Sequence, residues 1–262
     1  MAQPGKPRAG YTPASLLTAF VGAAVTSAAA WKIGKVFGGS PDLAFLRWEG
    51  GGTIIVNSIS VLAFWLAMLG LRARSKHIGW ELAAFEHHLL PEDVETVIDR
   101  KYIPEIFRKM RALPDEARGA RLCQAVELCA SKFQASTNVG EVSGTLEMYL
   151  QNEANRADTG YSIVRYLAWS IPSIGFIGTV MGLASALGRF AGAEMDKMKE
   201  LMRDVSTDLM FAFNTTFVAL ALAILLMYYY HRVTERDETL SNRVSDYCLR
   251  YFVTKAFYPS PA

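Results

Sequence analysis

The sequence predicts an all-α polytopic membrane protein with four transmembrane helices and one helical cytoplasmic domain. Three observations lead there. The 262 residues are 51% hydrophobic and only 20% charged, apolar enough to raise membrane insertion at once. Charged side chains vanish altogether from four windows, 9–31, 50–71, 166–188 and 209–230. Each window holds about 22 residues, or about 33 Å of helix at roughly 1.5 Å per residue, which matches the roughly 30 Å hydrocarbon core of a bilayer. Outside them apolar residues recur at helical spacing, and no alternating strand pattern competes.

Taken in order, residues 1–12 form a cytoplasmic N-terminal segment, expected to lack fixed structure. Residues 13–31 form the first span, dominated by Ala, Ser, Thr and Gly. Lys6 and Arg8, the apolar LLTAFVGAAV and Ala28-Ala29-Ala30 also fit a secretory signal with a small-residue cleavage site. An outer loop, 32–50, turns at GGSPD and leads to the second span, 51–71. Residues 72–165 form the helical cytoplasmic domain, where Ile78, Leu82, Phe85 and Leu89 share a helical face. Leu90-Pro91-Glu92-Asp93 and Leu113-Pro114-Asp115-Glu116 each place proline and acids where a helix begins. The second leads into the apolar face Leu122, Ala125, Val126, Cys129 and Phe133.

The third span covers 166–188, a second outer loop with some continuing helix 189–208, and the fourth span 209–230. In the tail, 231–262, Val233, Leu240, Val244, Tyr247 and Tyr251 recur as a stripe. That stripe extends the fourth helix and packs it on the loop helices or a neighbouring subunit. The final YPSPA is expected to be disordered. Lys6, Arg8, Arg72, Arg74, Lys76, Arg156, Arg165, Arg232 and Arg236 flank the spans on the sides read as cytoplasmic, so both termini lie inside. Lys32, Lys35, Arg47, Arg189, Lys197, Lys199 and Arg203 on the other side weaken that bias.

Several function classes fall away. A net charge of +2 with interleaved signs gives no nucleic-acid surface. Cys123, Cys129 and Cys248 show no C-x-x-C spacing and read as free thiols. His77, His87 and His88 sit on a charged helix, where solvation or local pairing explains them better than a metal. GGSPD and GEVSG lack a following G-K-[ST], and no Ser/His/Asp set has its strand-turn-helix context. No enzyme, cofactor or resident metal is expected.

No Asp, Glu, Lys, Arg or His lies within the four windows, so the chain alone offers a proton no charged resting place in the membrane. It offers instead Thr179 in span three, and Asn214, Thr215 and Thr216 in span four. Gly175, Gly178, Gly182 and Ala186 share one face, with Thr179 at its edge and Pro172 just before it. Ala212, Thr216, Ala219 and Ala223 form a second stripe. Small residues let helix backbones approach in lipid, where no hydrophobic force draws helices together. Simple packing accounts for such stripes, and so does a polar ring whose threonines meet at a subunit or partner interface.

The run PSIGFIGTVMG, Pro172 to Gly182, resembles the signature of the MotA/TolQ/ExbB proton-channel family, in which a proline precedes a G-T-V-x-G segment. DVSTDLMFAFNTTFVALALAILL, 204–226, is similar to that family's last transmembrane helix. The resemblance implies a homopentamer in a bacterial inner membrane, surrounding two copies of a single-span MotB/TolR/ExbD-type partner. That partner carries the transmembrane aspartate this chain lacks. It implies a rotary motor or stator driven by transported H⁺, or Na⁺, with no bound cofactor. By position Thr179 and Thr216 line the ion path, with Thr215 and Asn214 beside them. Pro172, Gly175, Gly178, Gly182, Ala212 and Ala219 would then set packing and pore shape. Four spans are similar to MotA, the G-T-V-x-G wording is closer to TolQ and ExbB, and span four lacks the family's proline. The alternative is a non-conducting oligomeric membrane scaffold whose loop recruits cytoplasmic partners.

Overall fold

The computed structural model describes residues 13–37, 51–93, 96–136, 138–191 and 197–256. The N-terminal dozen, the GGSPD turn and the YPSPA end lie outside the described residues. Among those described, every extended element is helical: α1 Pro13–Phe37, α2 Gly51–Ala83, α3 Ile103–Ala112, α4 Asp115–Arg118, α5 Arg121–Ser136, α6 Val139–Ala191 and α7 Met198–Cys248. A single parallel bridge, Ile98 with Ala256, is the one β-type contact among them. Helices α2, α6 and α7 are long and apolar enough to cross a membrane. The first predicted span lies on α1, where Leu17–Ala28 is an apolar stretch among the described residues.

Two compact units divide the chain. The apolar unit takes residues 9–72 and 162–231. Its interior holds many small residues, with Ala19, Ala67, Ala212 and Ala219 fully buried beside Leu71, Ile171 and Leu226. Many of its large side chains point outward, with Leu17, Phe20, Phe176, Leu187, Phe213 and Ile224 all exposed. That inversion of the usual order is what a hydrocarbon solvent permits, since lipid costs an exposed leucine nothing. Gly22 of α1 packs on the face of Trp65, whose ring would stand 3.0 Å from a Cβ placed there. The Trp65 indole N–H donates to Thr26 Oγ1 at 3.1 Å, and Thr26 donates to the Gly22 carbonyl at 2.7 Å. Helix α6 runs unbroken through Pro172. The ring removes one backbone hydrogen bond, but lipid offers the other carbonyls and N–H groups no alternative to the helix.

The polar unit takes residues 73–161 and 232–262. Ile103, Ile106 and Met110 of α3 are buried at helical spacing. The predicted face of α5 is buried in full, and the Phe133 ring meets Phe252 edge-on at 6.0 Å. Val233, Leu240, Val244 and Tyr247 are buried along α7, which continues past the fourth span as the stripe predicts. One helix start is corrected. Leu90 to Asp93 is irregular, and the helix expected there is absent. Leu89 and Leu90 are buried, the Leu90 N–H donates to Tyr247 Oη at 3.2 Å, and Lys255 Nζ donates to the Pro91 carbonyl at 2.8 Å. These bonds to the end of the chain take the backbone groups a helix would need. The next helix instead carries its own proline, Pro104, in the first turn of α3. At the second site the expected start holds, with Asp115 opening α4 directly after Pro114.

Four helices of this unit meet around Arg121 of α5. Its Nε donates to Glu81 Oε2 at 2.5 Å, Nη1 to Ser241 Oγ at 2.9 Å, and Nη2 to Asp237 Oδ1. Arg74 donates from Nε and Nη2 to Asp237 Oδ2 at 3.0 and 2.7 Å, and Tyr161 Oη donates to the same oxygen at 2.9 Å. His77 Nδ1 lies 2.9 Å from Glu81 Oε1. Arg121, Glu81 and Asp237 are 5%, 6% and 4% exposed, so only their pairing makes them tolerable in the interior. Burial alone pushes the Glu81 carboxyl up, but the His77 hydrogen bond and the Arg121 charge outweigh it and hold it below its ordinary value. Asp237 is likewise pushed up by burial and brought down further by Arg121 and Arg74.

Carboxyls depressed in the folded state stabilise it above their unfolded pKa, and that contribution disappears as pH falls through the folded values. The thermal midpoint of the purified protein is therefore expected to drop once pH goes below the ordinary carboxylate range. Arg121→Met is expected to cost about 3–5 kcal/mol at neutral pH by removing the guanidinium that two buried carboxylates, Glu81 and Asp237, share. Thermal denaturation in detergent across pH checks both. A penalty that does not shrink in acid, where the carboxyls are neutral, would contradict the assignment.

Candidate functional site

The two small-residue stripes are the two faces of one contact. A Cβ on Gly175 would stand 2.5 Å from Ala219 Cβ and 3.1 Å from the Thr215 carbonyl oxygen; one on Gly178 would stand 2.7 Å from Thr215 Cβ. On Gly182 it would stand 2.8 Å from Ala212 Cβ and 2.7 Å from the Asp208 carbonyl oxygen. These separations are too short for real carbon contacts, so three successive turns of α6 admit only glycine. The two stripes meet each other within one chain, as the packing reading of the glycines has it. The short connection, 192–197, keeps α6 and α7 as neighbours, and each stripe finds its complement there without a second molecule.

This close approach brings three hydroxyls to one spot. Thr179 Oγ1 and Thr216 Oγ1 share a short hydrogen bond. Thr216 Oγ1 also lies 3.1 Å from the Gly175 carbonyl oxygen, and Thr179 Oγ1 lies 3.2 Å from that of Ala212. Thr215 is wholly buried, with its hydroxyl 3.0 Å from the Ala212 carbonyl oxygen and 3.4 Å from that of Gly175. A hydroxyl has one hydrogen to give, so each donates along one of these contacts at a time. Thr179 and Thr216 are half-buried, and their pair stands at the margin of the packed face. The site can exchange hydrogen bonds or offer oxygen ligands, but it has no group that takes on charge.

Asn214 turns away from the threonines to α2. Asn57 Nδ2 donates to Asn214 Oδ1 at 2.7 Å, and both amides are buried. Asn57 was not singled out from the sequence, although Thr53, Asn57 and Ser60 sit at spacings of four and three in a charge-free window and are all buried. That spacing was the available signal. Near the α6–α7 connection, Ser185 Oγ and Arg189 Nε donate to Asp208 Oδ2 at 2.7 and 2.6 Å, and Arg189 Nη1 to Asp204 Oδ2 at 3.0 Å. Elsewhere, His77 and His88 each contact a glutamate, Glu81 and Glu92. Among the described residues no group of three or more potential metal ligands assembles.

Long apolar helices with outward-facing bulk, small-residue helix contacts and an uncharged hydroxyl cluster define a helical membrane protein. Residues 118–246, which hold α5, α6, most of α7 and all three threonines, match the model of the MotA/TolQ/ExbB proton channel family. That family is a channel family rather than an enzyme family. No curated protein and no solved structure matches the chain.

The glycine contact makes a paired prediction. Gly178→Val is expected to force α6 from α7 and to cost about 1–3 kcal/mol or more. Gly160→Ala, on the same helix with open space around its Cβ, is expected to be neutral or stabilising by about 0.5–1 kcal/mol. Thermal denaturation of both variants in detergent, compared with the parent, measures the difference.

Proposed function

We propose that the chain is the channel-forming subunit of an ion-driven rotary motor in a bacterial inner membrane. Five copies surround two single-span partner helices, each carrying one transmembrane aspartate, and four spans place both termini in the cytoplasm. The observation that carries this reading is the hydroxyl cluster at Thr179, Thr215 and Thr216, lodged in spans with no ionisable side chain and inside the family match. Ions, protons in the first instance and sodium in the second, move along the interface between these hydroxyls and the partner's carboxylate. Neutralising that carboxylate changes the contacts it prefers, and the pentamer steps around the partner. Pro172, Gly175, Gly178, Gly182, Ala212 and Ala219 shape the wall on which the hydroxyls stand, and Asn214 braces it against α2.

A second reading has one observation in its favour. All three hydroxyls have acceptors within their own chain, as a pure packing device requires. A non-conducting oligomeric scaffold that recruits cytoplasmic partners would need no more than this.

The two readings separate in proteoliposomes holding the chain with a single-span, aspartate-bearing protein from a neighbouring reading frame. Thr179→Val and Thr216→Val are each expected to abolish ion flux while the assembly elutes unchanged on size exclusion, and Thr→Ser at either position is expected to retain flux. Unchanged flux in both valine variants would remove the site assignment. Absence of flux in the parent complex would favour the scaffold.

A further inference from the structure

A groove of about 270 Å³ lies between residues 75–82 of α2 and residues 232–243 of α7, wholly within the polar unit. Arg232, Arg236 and Arg243 line it from α7, and Glu235 is its only acid. The spacings of four and seven put the three arginines on one helix face. Glu235 does little to satisfy them: it pairs loosely with Arg232 at 3.5 Å, with both side chains more than 60% exposed. Arg243 rests over the Phe85 ring, its guanidinium carbon 5.6 Å from the ring centre. Opposite the arginines stand Ser75 and Gly79, and Thr239 adds a further hydroxyl. Nothing lies within 4 Å of where a Gly79 Cβ would be, so the α2 wall is open at that point. Buried Ile78 and Leu240 supply an apolar floor.

The groove begins where two charge-free windows end. Leu71 closes one on α2, four residues before Ser75; Tyr230 closes the other on α7, two residues before Arg232. Along a helix these are steps of about 6 and 3 Å. Lys76, exposed on α2, follows Ser75 directly in the chain. Guanidinium forks match phosphate oxygens in pairs, and basic pockets just beyond transmembrane segments suit anionic headgroups.

We propose that this groove binds the phosphate headgroup of an anionic phospholipid, gripped by Arg232 and Arg236, with its glycerol against the apolar floor. A free phosphate offers the same anion, but the nearness of the spans and that floor favour the lipid. The proposal needs α2 and α7 to cross the bilayer at their apolar windows; it does not need the chain to conduct ions.

Native mass spectrometry of the full chain in detergent tests it, with phosphatidylglycerol, phosphatidylcholine and inorganic phosphate titrated in turn. Phosphatidylglycerol is expected to bind preferentially, and the double variant Arg232→Gln/Arg236→Gln to weaken that binding roughly twentyfold, about fivefold for each cation lost. Arg108→Gln/Arg111→Gln, exposed on α3 and outside the groove, is expected to bind as the parent does. Equal binding of phosphatidylglycerol by the parent and the groove variant would overturn the proposal, as would equal affinity for phosphatidylcholine or for inorganic phosphate. Both substituted arginines are exposed and lie outside the Arg121 cluster, and an unchanged lipid-free thermal midpoint verifies folding. Should the variant unfold, the parent's own midpoint decides: a rise with phosphatidylglycerol alone supports the site, and an equal rise with all three ligands overturns it.

Discussion

A neutral set of two guanidiniums and two carboxylates, buried except at the partly exposed Arg74, holds the polar unit in register. Arg121 comes from α5, Arg74 and Glu81 from α2, and Asp237 from α7, with Tyr161 of α6 completing the ring of donors. The burial of Ile78, Leu122, Val126 and Val244 supplies attraction but little direction. The ionic set is directional, because each carboxylate oxygen must meet a particular donor. Slipping any of these helices by one residue would leave an uncompensated charge in the interior, which costs far more than a misplaced leucine.

The apolar unit solves the same problem without charge. Register there comes from groups that are polar but neutral: Asn57 against Asn214, Trp65 on Thr26, and hydroxyls returned to backbone carbonyls. A buried ion pair would have been costly to insert into lipid, whereas an amide or hydroxyl with a partner is tolerated. The glycines complete the logic. With hydrophobic attraction between helices unavailable, cohesion depends on dispersion over a close, extensive contact, and only a backbone with almost no side chain can come so near.

Much of this was readable from residues considered one helix at a time. The two small-residue stripes, the α5 face and the extension of α7 each depend on local periodicity and appear as read, and three of the charge-free windows lie on helices long enough to cross a membrane. What escaped depends on pairs far apart in the chain. Nothing near Arg121 announces that Glu81, forty positions earlier, and Asp237, more than a hundred later, are its partners. Asn57, and its pairing with Asn214, escaped for the same reason, although an asparagine amid apolar residues is itself a signal. The false helix start at Pro91 failed because local capping chemistry was outweighed by bonds to Tyr247 and Lys255. Thr179 was legible as a residue of interest, but that its first neighbour is Thr216 of the same chain was not, because a stripe of small residues does not name its complement.

The interlocked stripes also constrain how this sequence can drift. Positions 175 and 219, 178 and 215, and 182 and 212 each share one fixed volume. A lineage that gains a methyl group on α6 must give one up on α7 at the facing position, so these sites should vary as correlated pairs rather than singly. Among divergent chains with the same contact, a glycine at 219 would accompany an alanine at 175. The exposed residues between them, such as Phe176 and Ile177, would change freely among apolar types.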